Sequence, residues 1–223
     1  MKRKAVVLLS GGLDSAVTLF YARKKGYECH CLTFDYGQRH IKEISCARIL
    51  ARRAGAGLKT MKLCLPWRGS SLTDKSLSVP SGRTAKEIKS GGIPSTYVPG
   101  RNTIFLSLAI SYAEAIGADA VFIGAHIQDS SGYPDCRKGY LEAFNKVVKS
   151  GTRRGLEGRL KIEYPLIGKN KAGIIKLGTR LGVPFELTWS CYKGGPKPCG
   201  ESDSCVLRAR GFEEAGLMDP LYA

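Results

Sequence analysis

The stretch Leu9-Ser10-Gly11-Gly12-Leu13-Asp14-Ser15 carries the residues of this 223-residue chain best spaced for chemistry. Paired glycines let a backbone close on an anion with no Cβ in the way. Ser10 and Ser15 add hydroxyl donors, so the turn suits a phosphate or pyrophosphate. Asp14 repels phosphate by itself. It makes sense either holding Mg²⁺ between its carboxylate and the phosphates or capping a helix. Neither G-x-x-x-x-G-K-[ST] nor G-x-G-x-x-G occurs in the chain, so two common phosphate loops are excluded.

Such a turn works only between a strand and a helix, where unpaired N–H groups and the helix dipole add positive potential. The flanks supply both. Ala5 to Leu9 is an apolar run that reads as a buried parallel strand, and Ala16 to Lys25 spaces Val17, Leu19, Phe20 and Tyr21 for a helix. The alternation continues with strands at Tyr27 to Phe34, Leu58 to Leu65, Asp119 to Gly124 and Arg159 to Tyr164. The helices are Ile41 to Ala54, Asn102 to Ile116, Tyr140 to Lys149 and Ala172 to Leu181, with a short one near Thr84 to Lys89. In the second helix Ile41, Ile44, Ala47 and Ile49-Leu50 are expected to face the core. Alternating strands and helices predict an α/β fold with a doubly wound parallel sheet, whose ligands sit at the carboxyl ends of the strands. Ser10, Asp35 and Ala125-His126 all fall just past predicted strands. Residues 66–100 turn to Ser, Gly, Thr, Lys and Pro, and so long an aperiodic stretch reads as a lid-like excursion.

Composition narrows the class. With 43% hydrophobic residues the chain can bury a sizeable core. No apolar run has the length of a transmembrane helix, and Lys2-Arg3-Lys4 with Ala5 to Leu9 is too short for a signal peptide, so a cytoplasmic protein is expected. In that compartment the eight cysteines are expected free or metal-bound; Cys29, Cys31, Cys46 and Cys64 read as small core residues. The net charge of +16 is scattered in small groups such as Arg23-Lys24-Lys25, Arg52-Arg53 and Arg153-Arg154, which favours acidic small molecules over nucleic acid.

Ser10 to Ser15 resembles the S-G-G-x-D-S signature of the ATP pyrophosphatases. Further stretches sharpen this: Phe34-Asp35-Tyr36-Gly37-Gln38-Arg39-His40, Val98-Pro99-Gly100-Arg101-Asn102-Thr103, Tyr133-Pro134-Asp135-Cys136-Arg137, Thr188-Trp189-Ser190-Cys191-Tyr192 and Cys199 to Cys205. With them, nearly the whole chain resembles the 7-cyano-7-deazaguanine (preQ0) synthases of queuosine and archaeosine biosynthesis. The resemblance implies a Rossmann-like sheet of the HUP type. It also implies a ligase that uses ATP, Mg²⁺ and ammonia to turn the carboxylate of 7-carboxy-7-deazaguanine into a nitrile through an adenylate and an amide. The order of the motifs suggests an ATP-pyrophosphatase domain over 1–188 and a cysteine-rich segment over 189–223, and the family resemblance implies a homodimer.

The same resemblance carries roles to individual residues. Leu9 to Ser15 and Asp35 are implied in ATP binding. Asp14, Arg101 and Lys171 are implied in catalysis, although Lys171 also reads as a surface lysine near a helix start. Gln38, Asp129, Tyr133, Asp135 and Arg137 are implied in substrate binding, with Asp135 or Asp129 to meet the donors of the deazaguanine edge and Tyr133 or Trp189 to stack on its ring. His126 and His40 are candidate proton carriers, and Cys136 is expected to face the cleft. The family pattern places four zinc cysteines where this chain has Cys191, Cys199, Ser202 and Cys205. Three thiolates remain, with water, Glu201 or Asp203 to complete a tetrahedron. After Arg137, Lys138-Gly139-Tyr140 replaces the family's Pro-Glu-Phe, and Ser130 replaces a tyrosine. These departures leave open a relative that stops at an amide or conjugate, and the net charge of +16 leaves open a tRNA-modifying ATP pyrophosphatase on the same core.

Overall fold

Ala5 to Leu8 is apolar at every position because this strand is covered on both faces. In the computed structural model, which describes residues 2–126 and 132–222, it is the central strand β1 (Lys4–Leu8). Around it lie β2 (Glu28–Asp35), β3 (Gly57–Lys62), β4 (Ala120–Phe122) and β5 (Lys161–Glu163). The order is β3-β2-β1-β4-β5 and every pairing is parallel. Ala5 and Val7 point into one core with α1 (Leu13–Lys24), α2 (Lys42–Arg53), α7 (Lys171–Arg180) and α8 (Asp203–Ala215). Val6 and Leu8 point into the other, with α4 (Arg101–Ile116) and α5 (Lys138–Gly151). This is the expected doubly wound sheet. The strand order reverses between β1 and β4, which opens the crevice where such sheets bind ligands.

Boundaries moved where neighbours dictate them. β3 stops at Lys62 rather than Leu65, because its partner β2 ends at Asp35, opposite Lys62. α1 begins at Leu13, inside the glycine–serine motif. The short helix α3 (Ala85–Ser90) is opened by a capping box between Thr84 and Glu87. In α2 the buried side chains are Ile44, Ala47, Leu50 and Ala51, whereas Ile41 and Ile49 are 58% and 42% exposed. The helical phase admits one stripe of about this width to the core, and those two isoleucines fall outside it. Cys46 is half-buried and Cys64 exposed, so only Cys29 and Cys31 are core residues of that group.

The C-terminal segment holds the cysteine cluster and, beyond the expected loop, helix α8. Its inward residues include Asp203, Cys205, Arg208, Gly211 and Phe212, so no aliphatic stripe announces it. Gly211 is required: a Cβ there would stand 2.3 Å from Cγ of Lys171 on α7. Arg208 is fully buried, donating to Asp219 through Nε (2.6 Å) and Nη2 (2.8 Å), to Thr188 Oγ1 (2.6 Å) and to the Phe185 carbonyl (3.1 Å). It therefore ties α8 to the 185–190 segment and the chain's end. Among the described residues no helix is long and apolar enough to cross a membrane.

Removing one partner of a buried ion pair strands the other charge. Arg208→Ala should lower unfolding stability in urea by about 3–5 kcal/mol. Arg208→Ala/Asp219→Ala should lose less than the sum of the single changes.

Candidate active site

The loop after β1 closes where the two halves of the sheet part. Gly11 has φ +90°, and a Cβ on it would lie 2.0 Å from the Glu43 carbonyl oxygen of α2. Only glycine lets the loop pack there. Ser10 Oγ accepts from the Gly12 N–H at 3.2 Å and lies 3.1 Å from Ser15 Oγ, which donates to the Gly12 carbonyl at 3.0 Å. The Trp189 N–H donates to the Gly11 carbonyl at 2.9 Å, so the segment before the cysteines forms one wall of the loop. α1 starts at Leu13, which directs its first N–H groups toward the space above the loop.

That space is a cleft of about 270 Å³. Ser10, Gly12, Asp14 and Ser15 form its floor; Thr33, Tyr36, His40 and Glu43 line the β2 side, and Ile123, Gly124 and Ala125 the β4 side. Leu72 and Thr96 of the 66–100 excursion complete the rim, with Arg101, Tyr133, Cys136, Lys171 and Tyr192.

Asp14 is joined by a residue from the far end of the chain. Lys171 Nζ donates to Asp14 Oδ1 at 2.9 Å and Oδ2 at 2.8 Å, and lies 3.0 Å from Nε2 of the buried His126. His126 Nε2 is 3.5 Å from Asp14 Oδ2. Burial opposes ionisation of Asp14, but the charge of Lys171 and the adjacent His126 hold its carboxyl well below the usual carboxylate range. Lys171 is the first residue of α7, whose N-cap Asn170 accepts from the Gly173 N–H at 2.9 Å. Its surface reading is thereby set aside, since it is buried against Asp14.

Arg101 opens α4 and donates to the Tyr36 hydroxyl at 3.1 Å. Burial works against its charge, yet its surroundings, Tyr36 first and then Cys136 and Asp135, raise its pKa, so it enters the cleft as a fixed cation. Burial likewise pushes the Tyr36 phenol up, which keeps it neutral. His40 Nε2 lies 3.3 Å from Glu43 Oε2. Tyr133 joins the Thr96 hydroxyl at 2.6 Å, and Trp189 is buried with Nε1 donating to the Cys191 carbonyl at 3.0 Å.

Other expected site residues stand back from the cleft. Asp135 is buried with Oδ2 accepting from the Asn102 N–H at 3.0 Å, so its carboxylate is engaged with the start of α4. Gln38 accepts from the Tyr36 N–H at 2.9 Å and donates to the Phe34 carbonyl at 3.0 Å and Glu43 Oε1 at 3.2 Å, a latch for the loop after β2. Asp35 Oδ1 accepts from the Gly37 N–H at 3.3 Å. Arg137 is the exposed N-cap of α5, and Asp129 lies outside the described residues, as does Ser130. Arg208 and Thr33 line the cleft without having been singled out; the buried position of an arginine leaves no periodic trace in the chain.

The sulfurs of Cys191, Cys199 and Cys205 all lie within 4.8 Å of one another. Cys199 Sγ is 3.5 Å from Cys191 and 4.0 Å from Cys205, and it accepts from the Ser202 N–H at 3.3 Å. Burial opposes its thiolate, but backbone N–H groups of Glu201 and Ser202 and the Ser202 side chain lower its pKa to about 7. Three converging soft donors, one of them held near its thiolate form, fit a metal ion. The two acidic candidates for a fourth ligand are engaged elsewhere: Asp203 pairs with Arg83 and Glu201 with Lys193. Ser202, wholly buried, is the residue beside the sulfurs.

A model of the family described as queuosine biosynthesis protein QueC matches residues 4–216. The 7-cyano-7-deazaguanine synthase of Nostoc punctiforme is 52% identical over 221 residues, 98% of each chain. That of Thermoplasma acidophilum is 52% identical over 220 residues, 99% of this chain and 92% of its own. Among solved structures, the NMN synthetase from Francisella tularensis superimposes with a TM-score of 0.52 at 15% identity, over 97% of this chain and 79% of its own. That likeness shows a shared fold.

The Asp14 pair has a signature in pH. A carboxyl with a depressed native pKa contributes fully above its unfolded value, about 3.9, and that contribution is lost as pH falls toward the native value. The stability difference between the wild type and Asp14→Asn, from urea unfolding, should be about 1–3 kcal/mol near neutral pH, the linkage contribution of a carboxyl lowered in this way. It should shrink steadily below about pH 4. A difference that grows on acidification would contradict the pairing.

Proposed function

Because this chain belongs to the queuosine biosynthesis protein QueC family, we propose that it converts 7-carboxy-7-deazaguanine and ammonia to 7-cyano-7-deazaguanine at the expense of ATP. The observation that carries the reading is the meeting of Asp14 and Lys171 over the Ser10–Ser15 loop, at the point where the strand order reverses.

A substrate carboxylate oxygen attacks the α-phosphorus of ATP, and pyrophosphate leaves. Ammonia attacks the acyl carbon of the adenylate, AMP departs and a proton is lost, giving the amide. The amide oxygen is then adenylated by a second ATP with release of pyrophosphate. Loss of AMP and of the nitrogen's protons leaves the nitrile, so one nitrile accompanies two AMP and two pyrophosphates. The N–H groups at the start of α1 and the hydroxyls of Ser10 and Ser15 receive the departing pyrophosphate. Lys171 and Arg101 oppose the charge that develops on the phosphoryl oxygens, a contribution that needs fixed cations. The cleft walls at Leu72, Phe105 and Tyr133 shield the adenylate from water. Asp14 would hold Mg²⁺, which neutralises the phosphate oxygens when bound. Asp135 acts through α4, keeping Arg101 in place.

Cys191, Cys199 and Cys205 would hold Zn²⁺, with Ser202 at the fourth position. The site lies beside Trp189, so the ion's contribution is to order that wall of the cleft. The substrates are small molecules, and the reading carries a cytoplasmic enzyme that acts as a homodimer.

Incubation with 7-carboxy-7-deazaguanine, ATP, Mg²⁺ and ammonium should yield the nitrile with about two AMP per product by mass spectrometry, one for each activation. Amide with one AMP would instead favour a relative that stops early, consistent with Lys138-Gly139-Tyr140 beside the substrate segment. Asp14→Asn should lower kcat/KM at least about 100-fold. Elemental analysis should find one zinc per chain, and Ser202→Cys should slow its removal by chelator at least about tenfold.

A further inference from the structure

Among the described residues, three buried side-chain polar atoms have no hydrogen-bond partner: Thr33 Oγ1, Arg39 Nε and His40 Nδ1. All three lie in β2 or the loop that follows it. Buried polar groups are nearly always paired, so an unpaired one calls for a reason. Thr33 also lines the cleft, although only 2% of its surface is exposed.

Its place in the sheet limits what it can meet. Leu8 stands opposite Leu32, and the Leu9 N–H donates to the Leu32 carbonyl at 2.9 Å. Thr33 is therefore beside Leu9, one residue before Ser10. In the dinucleotide-binding form of the doubly wound sheet the phosphates sit at the β1–α1 loop, and a side chain about 20 residues further on, at the end of the next strand, meets the ribose. This chain has a different loop in the same place, so the end of β2 is where a nucleoside would extend by analogy of position. Asp35 is the charged residue at that strand end, but it accepts from the Gly37 N–H and does not line the cleft. Thr33, two residues earlier on the same face, does.

We infer that Thr33 is a binding residue for the nucleoside end of ATP, supplying through its hydroxyl a hydrogen bond that the unliganded protein does not make. A step of about 120° about χ1 carries the hydroxyl to a new staggered position, so presenting the oxygen to the cleft needs no backbone movement. The inference rests on the ATP reading given above and adds the residue that reads the nucleoside.

The test uses the full chain with Mg²⁺, comparing the wild type, Thr33→Val and Thr33→Ser by isothermal titration with ATP and by thermal melting. Valine keeps the shape and removes the hydroxyl. Thr33→Val should weaken ATP binding about 3- to 10-fold, the loss of one neutral hydrogen bond, while its melting temperature stays at or above that of the wild type. Thr33→Ser, which keeps the hydroxyl, should bind ATP within about twofold of the wild type. Wild-type affinity in Thr33→Val would overturn the inference and leave the ATP reading standing. A melting temperature well below the wild type would also overturn it, by giving the hydroxyl a structural partner. A wild type that binds no ATP would remove the parent reading and this one together.

Discussion

Asp14 and Lys171 are separated by 157 residues and joined by two hydrogen bonds shorter than 3 Å. Bringing them together requires nearly everything else in the fold. β1 must deliver the Ser10 loop to the crevice, α1 must start within that loop, and α7 must end its approach with Lys171 at its first position. The approach of α8 to α7 is possible only because Gly211 has no side chain to collide with Lys171. The ion pair thus records, in one place, the closure of the whole doubly wound unit. It also keeps the Asp14 carboxylate charged in a cleft where burial works against its ionisation.

The rest of the cleft is held by residues that do not enter it. Gln38 latches the loop after β2, Asp135 engages the N-terminus of α4 below Arg101, and Arg208 binds α8 to Thr188 and Asp219. These groups are buried and polar, and each is worth most when fully satisfied. Their effect is precision: the walls that carry the Arg101 guanidinium and the Lys171 ammonium are fixed by bonds made outside the cleft.

The cysteine cluster belongs to the same scheme. Cys191 follows Trp189, whose N–H is bonded to Gly11, and Cys205 lies on α8 with Arg208. The 66–100 excursion reaches the cluster through Arg83 and Asp203 and through the Ser81–Ser202 bridge. It reaches the cleft through Thr96 and Tyr133. The thiols therefore sit where the excursion, the end of the chain and the phosphate loop meet. A metal ion held by these three sulfurs would tie that meeting point together.

Much of this was legible in the chain itself. Ser10 to Ser15 declares an anion loop because its glycines and hydroxyls act locally, and the strand and helix periods predict the sheet because burial on two faces demands apolar runs. The motif order points to the family for the same reason: it is a string of short local patterns. Which way a side chain points is a different matter. Asp135, Asp35 and Gln38 look like cleft residues in the sequence, yet each finds a backbone partner nearer than the cleft. Arg208 and Thr33 look ordinary, and become part of the cleft wall only through the packing of α8 and the register of β2. Helix α8 itself hides an inward face of cysteine, arginine and glycine that no hydrophobic count reveals. Local patterns determined the elements and the loop; the partners of each polar side chain were decided by contacts between residues far apart in the chain, which exist only once the sheet has closed.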